Sequence, residues 1–366
     1  MLCTSIYGKD LFRDEESLAK LDCSIYHSNH AYSKFQRFTN LLSGQPSTWN
    51  SIGKIIEEEA VRLDIPKPDV ILCFRMLNAP IALHLQERWN IEKIWLDIDE
   101  IDSRVRFDIA NRMASEGYYF RAVKERVEGF FYAIQENSLI PEFDRIYAST
   151  IEEKNSIDRM GFGVQTEVKP NMLPVSNRVT YQKTDDNPYT FMFVGDSNYF
   201  PNLDAIDRIL FEIVPGLEKI AQVPFRFVII GGDLGEAQQQ QIRKYDSVVY
   251  HQDVDDLKAI YDRSNAVVVP LRVGGGSSLK FLEALSRLKP VVATPVGARG
   301  FGVRNGEHAL IGESSGELIH HCNHLISDMD LNRKLSEKGY QWFLDHYSYE
   351  INVKATKETV NNSQPG

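Results

Sequence analysis

The sequence predicts an α/β protein built as two doubly wound, Rossmann-like domains. Three observations predict it. Short apolar, β-branched runs alternate with stretches of helical spacing, the rhythm of parallel sheets whose strands are buried on both faces. A polar, aperiodic stretch over 175–188, rich in Asn, Thr, Asp and Pro, divides that rhythm in two. The segment Asn265 to Gly302 reads as strand, glycine loop, helix, strand and loop, the repeating unit of such sheets.

Composition sets the outer bounds. A chain of 366 residues can bury two cores of ordinary size, and 43% apolar with 25% charged residues is globular usage. A net charge of −10 argues against general nucleic-acid binding, which leaves a basic footprint. Cys3, Cys23, Cys73 and Cys322 show no C-x-x-C spacing and read as free thiols in a reducing cytosol. Neither a signal peptide nor an apolar run of about 18 residues is visible, so a cytoplasmic protein is expected.

The first domain is expected over 1–174. Met1 to Tyr7 and Cys23 to His27 read as strands around a helical Asp14 to Leu21. Ala31 to Leu42 and Ser51 to Leu63 have helical spacing, parted by the breakers from Gly44 to Ser47. Pro68 to Phe74 is a buried strand, and Arg75 at its carboxyl end sits where ligands gather in open α/β sheets. A helix from Ala79 to Trp89 leads to a strand from Ile94 to Ile98. The acids Asp97, Asp99, Glu100 and Asp102 then meet Arg104 and Arg106. A metal site is one reading of those carboxylates. Helix-start acids ion-paired with the arginines is the other, and the one preferred. A single helix is expected from Asp102 to about Asn137, then a strand from Asp144 to Ser149 and a helix from Ile151 to Met160.

The second domain is expected over 189–345. It opens with a strand from Tyr189 to Val194 and the loop Gly195, Asp196, Ser197, Asn198, Tyr199, Phe200, with Pro201 near a helix start. Gly195 would let a ligand approach the backbone, or simply make a tight turn. Strands follow at Phe225 to Gly232 and Val248 to His251, and a helix opens over Gln252 to Leu257. Ala309 to Ile311 is a last strand before helices over Ser314 to Ser327 and Leu331 to His346. Residues 346–366 form a final helix and tail, with NNSQPG fraying. His251 reads as structural or solvent-facing. His308, His320, His321 and His324 lack metal-ligand spacing.

The chemistry concentrates after the strand Ala266 to Pro270. Gly274, Gly275 and Gly276 let the backbone turn sharply and approach a ligand. Ser277 or Ser278 can cap the following helix, whose free N–H groups and dipole favour an anion. Three residues after Ser277, where a capping box carries Glu or Gln, stands Lys280. A cation in a first helical turn opposes the dipole, and a bound phosphate or diphosphate resolves the conflict. Glu283, at i+3, can share its face and bind ribose hydroxyls. The plain alternative is a solvated Lys–Glu pair on an ordinary crossover helix.

These residues carry a resemblance. PLRVGGGSSLKFLEAL from Pro270 to Leu285 and KPVVATPVGARGFGV from Lys289 to Val303 resemble the donor region of GT-B glycosyltransferases of family 4. FVGDSNYFPNLDAI resembles the opening of that family's second domain, LDIDEIDSRVRF an acidic stretch of its first domain, and VKPN at Val168 to Asn171 the segment closing that domain. The likeness is strong over about Phe191 to Val303. Glu283 matches the second of two family glutamates, Gly275 stands in place of the first, and Ser278 replaces an arginine. The family's usual opening strand, glycine loop and helix are not recognised. This implies a shortened start or a naturally minimal first domain.

The resemblance implies two domains facing across a cleft, with the final helix crossing back to the first. It implies a retaining transfer of a sugar from a nucleotide-diphosphate donor to a saccharide or lipid-linked acceptor, without a metal or other cofactor. Lys280 and Arg272 are then the catalytic cations. Gly195, Asp196, Gly274, Gly275, Gly276, Ser277, Ser278, Lys280 and Glu283 bind the donor, and Arg75 and Asp99 lie on the acceptor side. Polysaccharide synthesis with contact at the inner membrane face is the expected setting. A nucleotide-sugar-binding protein without transfer and a nucleotide-sugar epimerase are the alternatives.

Overall fold

The computed structural model describes residues 67–175, 188–252, 254 and 256–351, and the backbone of 2–5 and 24–27. The helices expected at Asp14 to Leu21, Ala31 to Leu42 and Ser51 to Leu63, most of the 175–188 linker and the chain beyond 351 lie outside these residues. Two compact units are present. One comprises Met1–Ile98, Phe130–Tyr147 and Met160–Glu167; the other comprises Asp99–Gly129, Ala148–Arg159 and Val168–Gly366.

In the first unit, β1 (Leu2–Ser5) pairs in parallel with β2 (Ser24–His27), with Leu2 opposite Ser24. β3 (Val70–Phe74), β4 (Lys93–Ile98), β5 (Arg145–Ala148) and β6 (Gln165–Val168) make a four-stranded sheet in chain order. β3 and β4 run parallel, with Leu72 opposite Trp95. Helix α1 (Ala79–Trp89) covers them. Pro80 lies in its first turn, and Asn90 closes it in the left-handed conformation at φ 48°. Ile94, Leu96 and Ile146 fill this core. Arg75 follows β3, also at positive φ (65°), with its N–H donated to Asp97 O at 2.8 Å.

One expected helix is two. α2 (Asp102–Ser115) and α3 (Tyr119–Leu139) are parted at Gly117, which adopts φ +85°. Gly117 N–H bonds Ala114 O at 3.1 Å and Tyr118 N–H bonds Met113 O at 2.8 Å, the paired bonds of a Schellman stop. α4 (Ile151–Met160) follows β5.

The second unit is organised by a six-stranded sheet of order β12-β11-β10-β7-β8-β9. Its strands are β7 (Tyr189–Val194), β8 (Phe225–Gly231), β9 (Val248–Gln252), β10 (Ala266–Val269), β11 (Val291–Ala293) and β12 (Leu310–Ile311). Every neighbouring pair is parallel. The chain builds outward from β7 through β8 and β9, then crosses back and builds the other way from β10. This is double winding, and it creates a switch point between β7 and β10.

The intervening helices are α5 (Phe200–Arg208), continued through a π turn at Ile209–Ile213 into α6 (Val214–Ile220), then α7 (Glu236–Ile242) and α8 (Leu257–Arg263). α8 begins at Leu257 rather than Gln252, because Asp256 caps it by accepting the Ala259 N–H. α9 (Leu279–Ser286), α10 (Ser315–Ser327) and α11 (Met329–Tyr347) complete the unit. α10 opens with a full capping box between Ser314 and Glu317. Phe191 stacks on Phe227 and Phe281 on Phe301 inside a continuous apolar core.

Candidate functional site

The two loops leaving the switch point are Gly195–Tyr199 after β7 and Pro270–Ser278 after β10. Ligands of doubly wound sheets bind there, because diverging crossovers leave a crevice at the carboxyl ends. Both loops belong to the second unit, and the structure brings their predicted residues together.

α9 carries Lys280 on its first turn. The Lys280 Nζ donates to Asn202 Oδ1 at 2.6 Å and lies 5.0 Å from the centre of the Phe193 ring. Burial pulls its pKa down from 10.5 to about 8, against the opposing pull of Glu283. Asn202 in turn donates through Nδ2 to Asp196 O at 3.0 Å. A Cβ on Gly195 would stand 2.6 Å from Asn202 Cγ, so the missing side chain at 195 makes room for the amide. The Asp196 carboxylate bends back as an acceptor for Asn198 N–H at 3.0 Å.

The glycine loop is pinned along its length. Arg208 Nη1 donates to Pro270 O at 3.3 Å, Thr294 Oγ1 to Leu271 O at 2.5 Å, and Arg299 Nη1 to Gly274 O at 2.7 Å. Gly276 N–H is donated to Glu153 Oε1 at 3.2 Å, and Asn171 Nδ2 donates to Ser277 Oγ at 3.0 Å. Gly276 sits at φ 56°, with a would-be Cβ 2.6 Å from Asp99 O. At Gly275 a Cβ would meet Val105 Cγ2 at 2.4 Å and Glu100 Oε2 at 2.5 Å. The glycines therefore admit the 99–105 segment against the loop. The Gly276 amide, expected as a ligand donor, is engaged by a carboxylate.

Ser278 occupies the N-cap position of α9 but makes no capping bond, and its Oγ is buried without a hydrogen-bond partner. The helix therefore starts with its first N–H groups uncapped by a side chain. Glu283 Oε2 accepts from the buried Tyr261 hydroxyl at 3.0 Å.

Arg272 is arranged differently from Lys280. Its Nε and Nη2 hold both carboxylate oxygens of Asp204, at 2.9 and 3.1 Å, and Nη1 holds Glu212 at 2.9 Å. Asp204, 4% exposed, also accepts from Arg112 Nε at 2.9 Å. Beside this cluster a cavity of about 380 Å³ is walled by Arg112, Arg272, Arg299, Asp108, Asn111 and Ser115.

Of the acceptor-side pair, Asp99 abuts the glycine loop and accepts at its backbone carbonyl from Ser149 Oγ at 2.5 Å. Arg75 belongs to the other unit. Near Asp99, Arg104 pairs with the fully buried Glu153 at 2.6 Å, and Arg106 with Glu125 at 2.6 Å. Both arginines are thus ion-paired, and Asp102 lies in the first turn of α2, as the preferred reading of this stretch expects. Among the described residues no group of three or more His, Cys, Asp or Glu could hold a metal ion. His308 stacks on Trp342 with ring centres 4.4 Å apart, and His320, His321 and His324 share one face of α10. Cys73 and Cys322 are buried free thiols; burial and the Asp97 charge push Cys73 up to about 12.

Asn202, Asp204, Phe193 and Glu153 were not singled out from the sequence. The Pro201-Asn202-x-Asp204 spacing was visible at the helix start and is the signal that marks the first two.

Residues 188–328 match the family model described as Glycosyl transferases group 1. A Klebsiella pneumoniae protein described as "Uncharacterized 44.6 kDa protein in cps region" is 22% identical over 249 residues. That match covers 66% of this chain and spans only 61% of the relative's length. Among solved structures, sucrose-phosphate synthase from Thermosynechococcus elongatus superposes with TM-score 0.69 at 15% identity, covering 99% of this chain and 96% of that one. Anabaena HepE, in complex with UDP and glucose, gives TM-score 0.65 at 13% identity over 98% of this chain and 91% of that one.

Proposed function

From the GT-B fold and the group 1 glycosyl transferase match over 188–328, we propose that this chain moves a sugar from a nucleotide-diphosphate donor to a saccharide or lipid-linked acceptor, with retention at the anomeric carbon. The observation that carries the reading is the half-buried Lys280 ammonium, tied to a neutral amide beside an uncapped helix start at the switch point. When the bond from the anomeric carbon to the β-phosphate oxygen breaks, its electron pair stays on that oxygen. Lys280, the α9 amino terminus and the Ser278 hydroxyl are fixed donors at the place where this charge grows. The acceptor oxygen then bonds to the same face of the carbon and passes its proton to the departing β-phosphate oxygen. In this reading Lys280 supplies the compensating charge and no metal or other cofactor takes part, while Glu283 orients the ribose from the same helix face.

HepE is described in complex with UDP and glucose, which supports a nucleotide-sugar donor for a chain of the same fold. The relative described as lying in a cps region supports a role in polysaccharide synthesis, and we place the reaction in the cytoplasm at the inner membrane face. Among the described residues no helix is long and apolar enough to cross a membrane.

Binding without transfer is a second reading. It is favoured by Gly275 in place of a family acid and by the Gly276 amide held by Glu153. A thermal-shift screen of nucleoside diphosphates and their sugar conjugates tests the site, since a ligand at a hundred times its dissociation constant stabilises by about 2.7 kcal/mol. Release of nucleoside diphosphate on adding acceptor supports transfer. A shift without any release supports binding alone, and no shift with any nucleotide overturns both.

A further inference from the structure

We infer that Asn202 is the positioning residue of this site, fixing the Lys280 ammonium against the Gly195–Asp196 turn while leaving its charge uncancelled for the donor diphosphate. The inference rests on the nucleotide-binding reading of the site and adds the residue that places its cation.

The geometry is a three-way junction. The Asn202 amide oxygen accepts from Lys280 at 2.6 Å, and its amide nitrogen donates to Asp196 O at 3.0 Å. Its stem occupies the space that a side chain at 195 would fill. Both amide ends are used, so the side chain can neither flip nor swing without losing a bond. An ammonium has three donors; Asn202 takes one and Phe193 lies below, leaving donors for phosphate oxygens.

The contrast with Arg272 sharpens the role. Two residues further along α5, Asp204 binds Arg272 and Arg112 through a buried carboxylate. One helix thus presents an amide to one cation and a carboxylate to another. Arg272 is matched charge for charge, whereas Lys280 is held in place by a group with no charge to match it. The charged groups on the elements around Lys280 are Glu283 on its own helix, Asp196, Asp204, Asp207 and Arg208 on the loop and helix carrying Asn202, and Arg272 before the glycines. Of these, Glu283 is the one whose charge opposes the effect of burial on the ammonium.

The test compares the full chain with Asn202→Asp and Asn202→Ala. Lysine labelled at Cε is followed by NMR across pH, the Lys280 signal being assigned by its loss in Lys280→Ala. Binding of UDP, GDP, ADP and inorganic pyrophosphate is measured by calorimetry at pH 7. In Asn202→Asp the new carboxylate should raise the Lys280 midpoint by at least about one pH unit and weaken diphosphate binding about tenfold or more, with the melting temperature kept or raised. Asn202→Ala should weaken binding by a similar factor while the midpoint stays low. A merely structural Asn202 would change melting temperature in both variants and move neither the midpoint nor the affinity, and that result overturns the inference. An Asn202→Asp midpoint equal to wild type overturns it also. Should one variant fail to fold, the other decides through affinity. If wild type binds no nucleoside diphosphate the transferase reading fails, while the titration and pyrophosphate binding still judge Asn202.

Discussion

The Lys280 ammonium is hydrogen-bonded to the side-chain amide of Asn202, at 2.6 Å, and forms no ion pair among the described residues. A half-buried cation without a matching anion is costly unless something else arrives to meet it. The same relationship links the helix after β7 to the helix after β10, the two sides of the switch point.

Replacing Lys280 should therefore separate binding from stability. Lys280→Met is expected to lower donor turnover about a hundredfold or more, the loss of roughly 3 kcal/mol typical of one fixed donor to a developing oxyanion. The apo protein should melt at the same temperature or higher, because a desolvated charge is removed. Calorimetric titration with the nucleotide found by screening, beside thermal melts, checks both halves.

The lowered Lys280 pKa gives a pH signature with a definite sign. The folded state holds this proton up to about pH 8 and the unfolded chain up to its ordinary 10.5. Between those values the unfolded chain binds more protons at Lys280, so this group's contribution to apo stability rises with pH. The buried Cys73 and Cys322 thiols, raised by burial from 9.0, act in the opposite direction above about pH 9. Lys289, also brought to about 8 by burial, adds in the same direction as Lys280, so Lys280→Met removes only part of the rise. Diphosphate affinity runs the other way, constant below pH 8 and falling above it as the ammonium is lost. Urea melts and binding isotherms from pH 7 to 10 read the two trends.

Arg272 was expected to be catalytic, yet its guanidinium is held by Asp204 and Glu212. Asp204→Ala should destabilise the protein by about 3–5 kcal/mol, since it strands Arg112 and Arg272 together. Arg272→Met should lower stability by more than it lowers nucleotide affinity. Chemical denaturation alongside nucleotide binding measures the balance, and a preserved stability with lost binding would show Arg272 acting on the donor.

Gly276 is fixed by both conformation and space. Gly276→Ala puts a Cβ at φ 56° and 2.6 Å from the Asp99 carbonyl, so backbone must move. A loss of about 1–3 kcal/mol is expected, visible as a lower urea midpoint at unchanged slope.

Much of this arrangement could be read directly. β7, β8, β10 and β11 are apolar runs with no competing period, and Gly274–Gly276 ahead of Lys280 could only be a turn into a helix. The end of α2 was harder, because a lone glycine among helix formers is weak punctuation until its Schellman bonds are seen. Asn202, Asp204 and Glu153 act through partners 78, 68 and 123 residues away in sequence. No local spacing encodes such meetings. The Gly276 amide could likewise be expected to face a ligand only while Glu153 was unknown as its neighbour.

The strand-like contact between Leu173 and Ser348 has a wider meaning. Leu173 N–H bonds Tyr347 O at 3.1 Å and Tyr349 N–H bonds Leu173 O at 2.9 Å, so the chain entering the six-stranded sheet and the chain leaving it lie side by side. A module whose entrance and exit are adjacent can be spliced into another polypeptide, or rejoined in permuted order, without stretching either end. The part of the molecule that carries Lys280 is thus closed at its two ends, while its glycine loop still leans on the 99–105 segment and Glu153 from earlier in the chain.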